Sequence, residues 1–99
     1  MTKLVKPINL PFEEGPLNAY MKVNIINLMD HIVKSIDYAV NKNLPTIDLF
    51  NIDSTDYVIQ LDNTSFRENL DYIYNYFINN ELYEHCMKVC KVRDKLNNS

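Results

Sequence analysis

Glycine is almost absent from this chain, with Gly15 the single example among 99 residues. Phosphate-binding loops, dinucleotide-binding turns and the Gly-x-Ser-x-Gly elbow of hydrolases each need several glycines, because their backbones adopt positive φ or approach a ligand closely. The scarcity of glycine therefore excludes these nucleotide-binding and hydrolase architectures.

Long hydrophobic runs are also missing. No apolar stretch approaches the roughly 18 residues that a membrane-spanning helix needs. The N-terminal segment contains Lys3 and Lys6, but two prolines interrupt it and it lacks the apolar centre and cleavage site of a signal peptide. The two cysteines of such a chain are expected to be free thiols. We therefore expect a cytoplasmic, intracellular protein with no membrane partner.

The remaining composition is that of a folded chain. Hydrophobic residues make up 46% and charged residues 23% of the sequence, which is typical of globular proteins. A chain of this length can bury one modest core, so we predict a single small domain over residues 1–99. Asparagine is frequent, and so are tyrosine, isoleucine and lysine. AT-rich codons encode all four, which suits an AT-rich virus, phage or bacterium.

The N-terminal half is predicted to be an arm followed by a helix. Residues 1–14 are expected to be extended, as a short edge strand or a hydrophobic strap, because Pro7 and Pro11 disfavour helix. From residue 16 to residue 42, apolar side chains recur every three or four positions, which predicts one long helix. Proline at the first helical position is a typical start signal.

The middle of the chain changes period and predicts a β-hairpin over residues 46–62. Ile47 and Leu49 alternate with Asp48 and Phe50, and a β-rich run follows the turn-forming residues 53–56. Two strands alone are marginal in water, so the hairpin is expected to lean on the helices or to pair with the arm.

Residues 65–96 are predicted to be helical. Ser65 and Glu68 have the spacing of a capping box, and a strong amphipathic face follows them. Asn79 and Asn80 favour a break into two helices, while a single helix to residue 96 is the alternative.

Together these elements predict an α+β fold that is mostly helical. In it, a long N-terminal helix packs on a C-terminal helical pair, with the hairpin between them in sequence. The expected core residues are Leu28, Ile32, Ile36, Phe66, Leu70, Ile73, Phe77 and Val89.

His85, Cys86 and Cys90 form the one cluster of soft metal ligands in the sequence. A closed zinc site needs four ligands, and His31 is the only other histidine. Neighbouring His85 and Cys86 diverge by about 100° on a helix, so they do not form a nucleophile–base pair. We therefore expect core cysteines, no metal, no cofactor and no enzymatic activity.

Charge is distributed unevenly. Residues 43–87 contain eight acidic residues against Arg67 alone, a local charge of −7, within a chain of net charge −3. Tyrosines interleave with these carboxylates, and tyrosine is enriched at protein interfaces. The predicted protein-binding residues are Asp48, Asp53, Asp56, Tyr57, Asp62, Asp71, Tyr72 and Tyr76.

The C-terminal end has the opposite charge. Lys88, Lys91 and Lys95 fall on one helical face, where they provide an alternative, nucleic-acid-binding surface. With Arg93 they make four basic residues beside eight acidic ones, which suits nucleic acid poorly, so we do not expect it as the main partner.

These patterns favour a small protein–protein interaction module. We expect an inhibitor or regulator, of the kind that phages and viruses encode as accessory proteins, bound to a larger protein that presents a basic groove. The alternative is a self-assembling structural or accessory subunit, because the apolar face of the first predicted helix is wider than one small domain needs.

Overall fold

Helical and extended segments follow the predicted order in the computed structural model, which describes residues 5–98. The elements in chain order are β1 (Ile8–Leu10), α1 (Glu14–Val23), α2 (Ile25–Lys42), β2 (Thr46–Ile52), β3 (Val58–Asp62), a 3-10 turn (Asn63–Ser65), α3 (Phe66–Asn79) and α4 (Tyr83–Asn97). A mostly helical α+β class is thereby confirmed.

The helix predicted over residues 16–42 differs from the structure, which divides it at Asn24 into α1 and α2. The side-chain amide of Asn24 donates to the Tyr20 carbonyl at 2.9 Å, and the Asn24 backbone N–H donates to the same carbonyl at 3.0 Å. Asparagine side chains compete with the helical ladder in this way. The apolar stripe continues through the break, so periodicity alone does not reveal it. None of the residues of α1, all of which are described, is buried.

The C-terminal helices separate after Asn79, in agreement with the favoured alternative. Glu81 adopts the left-handed conformation, with φ of 58°. Its N–H donates to the Ile78 carbonyl at 3.2 Å, and the Leu82 N–H donates to the Phe77 carbonyl at 2.8 Å. This pair of hydrogen bonds is a Schellman motif, which ends α3. The next helix, α4, begins at Tyr83, two residues after Glu81.

The predicted capping box is not formed. At the start of α3, which lies within the described chain, no side-chain hydrogen bond caps the helix. Ser65 instead ends a 3-10 turn, with φ of −106° and ψ of 0°. A capping serine needs extended geometry, so the preceding turn removes the arrangement that the sequence suggested.

The sheet has the order β1-β2-β3, with β1 parallel and β3 antiparallel to β2. The predicted hairpin is therefore present. Of the two forms predicted for the arm, an edge strand or a hydrophobic strap, the structure has the edge strand, β1. Residues 1–4 of that arm lie outside the described residues.

The predicted alternation of β2 is wrong at Phe50, because the strand contains a β-bulge. Asp48 pairs with Gln60 and Phe50 pairs with Ile59, so Leu49 has no partner across the ladder. Such a bulge places two successive side chains on one side of the strand. Leu49 and Phe50 are both buried as a result, at 5% and 9% exposure, although the alternation places Phe50 opposite Leu49.

The core lies where α2 packs against β2 and α4, and where α3 packs against α4. The predicted core residues are buried, apart from Ile32, which is partly buried at the border of the cluster. Phe66, Phe77, Ile36 and Leu70 are among the largest side chains that are fully enclosed.

Replacing Glu81 with glycine is expected to stabilise the protein by about 1 kcal/mol, because a left-handed backbone penalises side chains that carry a Cβ. Urea unfolding measures the change. Glu81→Ala is the matched control, since it removes the same carboxylate but keeps the Cβ. Equal stability of the alanine and glycine variants would show that backbone conformation is not the cause.

Candidate functional site

Four of the predicted acidic residues lie on the hairpin formed by β2 and β3, and all four are exposed. Asp48 and Asp62 are on one face of the sheet, because their cross-strand partners are Gln60 and Thr46. Asp53 and Asp56 are in the connecting loop. Residues 43–66 contain no Lys, Arg or His, so no cation within this stretch offsets their charge. We call residues 46–62 the acidic hairpin.

The loop of the acidic hairpin is held by hydrogen bonds. The Thr55 hydroxyl donates to the Ile52 carbonyl at 2.8 Å and accepts from the Tyr57 N–H at 3.1 Å. At the base of the loop, the Asp53 N–H donates to the Leu10 carbonyl of β1 at 2.8 Å. These contacts hold the backbone of the loop that carries Asp53 and Asp56.

Apolar side chains are exposed beside these carboxylates. Tyr57, Val58 and Ile59 are successive residues and are 74%, 44% and 43% exposed. Val58 and Ile59 lie on β3, and within residues 5–98 no strand pairs with the outer edge of β3. The β-rich run in the sequence predicts a strand, but it contains no signal that the strand is at the edge of the sheet. Val58 and Ile59 were therefore missed as candidate contacts.

A second apolar contribution comes from the segment that follows β1. Phe12 is 63% exposed. Together with Glu13, Asp53 and Ser54 it lines an open depression of about 470 Å³. The arm thus places one aromatic ring and one further carboxylate next to the loop of the acidic hairpin.

The predicted Asp71 is engaged between helices. Its carboxylate accepts a hydrogen bond from the Arg93 guanidinium at 3.0 Å, which ties α3 to α4. The same guanidinium lies 4.4 Å from the centre of the Tyr74 ring and donates to Cys90 Sγ at 3.6 Å. The hydrogen bond to Asp71 raises the pKa of Arg93 above its ordinary value. Asp71 is therefore engaged in an exposed ion pair between α3 and α4.

The two predicted tyrosines of α3 differ from each other. Tyr72 is 68% exposed and stands at the rim of an apolar pocket of about 180 Å³, which Met21 and Phe50 also line. Tyr76 is half-buried against the core, with its ring centre 6.2 Å from that of Phe77. Of the three predicted residues on α3, Tyr72 is the one that remains a candidate for a partner contact.

The predicted basic residues Lys88, Lys91 and Lys95 line a groove between α2 and α4. The Lys95 ammonium donates to the Asp37 carboxylate at 2.7 Å. Lys34 lines the same groove from α2. The sequence pattern placed Lys34 away from the apolar stripe of its helix. It contained no signal that this part of the helix lies next to α4.

The two histidines and two cysteines do not form one cluster, because each histidine has a different hydrogen-bond partner elsewhere in the fold. His31 Nε2 lies 2.8 Å from the Leu49 carbonyl, whereas His85 Nδ1 lies 2.9 Å from the Asp30 carboxylate. Cys86 is buried and Cys90 is half-buried, and both are free thiols. Among residues 5–98, no three His, Cys, Asp or Glu side chains are grouped closely enough to hold a metal ion.

No protein-family model, curated protein or solved structure matches this chain. In the part of the chain that the structure describes, no helix has both the length and the apolar character needed to cross a membrane.

Proposed function

We propose that this protein is a non-enzymatic regulator or inhibitor that binds a larger protein through the acidic hairpin. The observation that carries the proposal is the exposure of Tyr57 together with that of Val58 and Ile59, which lie at an edge of β3 that no strand of residues 5–98 pairs. Carboxylates flank these three residues on both sides. Exposed apolar residues in a row, next to free main-chain groups, are typical of a protein-binding surface.

The partner is expected to contribute an extended segment that carries basic side chains. Among the described residues, no strand pairs with the main-chain groups on the outer side of β3, so these groups can hydrogen-bond a further strand. The alternating side chains can then select the sequence of that strand. The carboxylates at positions 48, 53, 56 and 62 attract a cationic segment and steer its approach. Phe12 and Glu13, which follow β1, add an apolar ring and a carboxylate beside Asp53 at the loop end of the acidic hairpin.

A second copy of this chain fits the β3 edge less well. Two β3 strands in antiparallel contact would bring the carboxylates of one acidic hairpin towards those of the other, where like charges repel. The second candidate function, a self-assembling subunit, therefore depends on another surface. The exposed Met21 and Val23 of α1, at 41% and 82%, favour that candidate.

Binding of a basic probe peptide tests the main proposal. A fluorescein-labelled peptide of alternating lysine and valine is expected to bind the wild-type protein, and binding is expected to weaken as salt rises. Asp53→Lys combined with Asp56→Lys is expected to weaken binding about tenfold or more, which corresponds to about 1.4 kcal/mol. Fluorescence anisotropy measures both effects. A peptide with N-methyl groups on alternate residues, which cannot add to a strand edge, is expected to bind weakly.

The matched control is Glu84→Lys combined with Asp94→Lys, which changes net charge equally but lies on α4. This variant is expected to bind the peptide nearly as well as the wild type does. Equal weakening by both double variants, or binding that does not depend on salt, would contradict the proposed surface. Light scattering of the wild type tests the second candidate, because a strict monomer excludes self-assembly.

A further inference from the structure

The groove between α2 and α4 has an apolar floor. Val33 of α2 and Val92 of α4 line it, and each is 5% exposed. The groove is open to solvent and has a volume of about 270 Å³. An open space of this size can receive one or two apolar side chains of a ligand.

The rim of the groove has an excess of positive charge. Its two carboxylates are engaged, because Asp30 lies 2.9 Å from His85 Nδ1 and Asp37 lies 2.7 Å from Lys95 Nζ. Within residues 5–98, no carboxylate forms an ion pair with Lys34, Lys88 or Lys91, the other three charged residues of the rim. These three ammonium groups are therefore available to an anionic ligand.

The positive charge is spread along the groove. Lys88, Lys91 and Lys95 occupy about two turns of α4, which corresponds to about 10 Å along the helix axis. Lys34 adds charge from the facing helix. A single carboxylate or phosphate cannot reach all of these groups, whereas a chain with acidic residues on successive turns matches their spacing.

We propose that this groove binds an acidic amphipathic segment of a partner protein. Its carboxylates contact Lys34, Lys88 and Lys91, and an apolar side chain between them packs on Val33 and Val92. This is the helix-in-groove mode of recognition, with charge complementarity at the rim. The site is separate from the acidic hairpin and is selective for the opposite charge.

Nucleic acid is a poorer match for the same residues. Affinity for a phosphate backbone depends on neutralising many phosphates, and the groove offers three uncommitted lysines next to two carboxylates. The valine floor gives a phosphate backbone no favourable contact. It does provide a place for leucine or a similar side chain.

The test uses a fluorescein-labelled helical peptide with glutamates on successive turns and leucines between them. The wild-type protein is expected to bind it, as measured by fluorescence anisotropy at low salt. Lys34→Gln, Lys88→Gln and Lys91→Gln together are expected to weaken binding about tenfold or more. The matched control neutralises Lys6, Lys22 and Lys42, which lie outside the groove and give the same net charge. This control is expected to change affinity by less than about threefold.

Several outcomes would overturn the proposal. If circular dichroism shows both triple variants folded and both weaken peptide binding equally, binding depends on net charge alone. Undiminished binding of a peptide with serine in place of leucine would remove the role of the valine floor. Equal or tighter binding of a single-stranded DNA of the same charge would assign the groove to nucleic acid. Self-association that Asp53→Asn and Asp56→Asn abolish would identify a second copy as the occupant.

Discussion

Replacing Phe77 with alanine is expected to lower the free energy of unfolding by about 3–5 kcal/mol. The Phe77 side chain has 0% exposure. Its ring centre lies 5.0 Å from that of His85 on α4. Removing the ring loses buried apolar area and leaves a cavity where α3 meets α4. A chain of this length has a total stability of roughly 5–15 kcal/mol, so the loss is a large fraction of the whole.

Urea unfolding followed by circular dichroism measures this loss. Tyr72→Ala is the matched control, because it removes an aromatic ring from the same helix at a position that is 68% exposed. Its effect is expected to stay below about 1 kcal/mol. A similar loss for both variants would mean that the packing of α3 on α4 is not as described.

Replacing His31 with leucine is expected to destabilise the protein by about 1–2 kcal/mol, because it removes a buried hydrogen bond and the packing of the imidazole against Phe50. His31 is 8% exposed, and its Nε2 lies 2.8 Å from the Leu49 carbonyl oxygen. A carbonyl oxygen only accepts, so Nε2 carries the hydrogen. Leu49 is the bulged residue of β2 and has no partner in the register with β3. The imidazole therefore ties α2 to the bulge of β2.

His31→Gln is the informative companion variant. Its side-chain amide can donate to the same carbonyl, so it is expected to recover part of the stability that the leucine variant loses. The experiment compares the urea midpoints of the two variants. If glutamine is no more stable than leucine, the hydrogen bond to Leu49 is not the source of the effect.

The sequence was most informative where an apolar repeat ran along a helix with no side-chain hydrogen bond or turn to interrupt it. The apolar repeats of residues 66–78 predict α3 and its buried face, because helical burial depends on spacing alone. Prediction failed at Asn24 and Ser65, where side-chain hydrogen bonds and turn geometry decide the local backbone. It failed again at Phe50, because a bulge depends on how two strands are paired.

The candidate site was predictable in its charge and less so in its geometry. The uniform acidity of residues 43–66 is a property of the sequence, and the hairpin carries it to the surface. Asp71 was assigned to the same patch by the local acidic charge, and Tyr76 as one of the tyrosines interleaved with it. Their contacts with Arg93 and with the core arise from packing between elements that are far apart in sequence. The pairing of Lys34 with the lysines of α4 was hidden for the same reason.

The parallel pairing of β1 with β2 also affects how the chain assembles. It joins residues 8–10 to residues 50–52 and so closes a loop of about forty residues, whereas the hairpin and the α3–α4 pair close short loops. Long loops lose more chain entropy on closure, so the first strand is expected to dock after these local units have formed. The Leu10 carbonyl of β1 accepts a hydrogen bond from the Asp53 N–H. The loop at the tip of the hairpin therefore gains this hydrogen bond only after β1 has docked, late in folding.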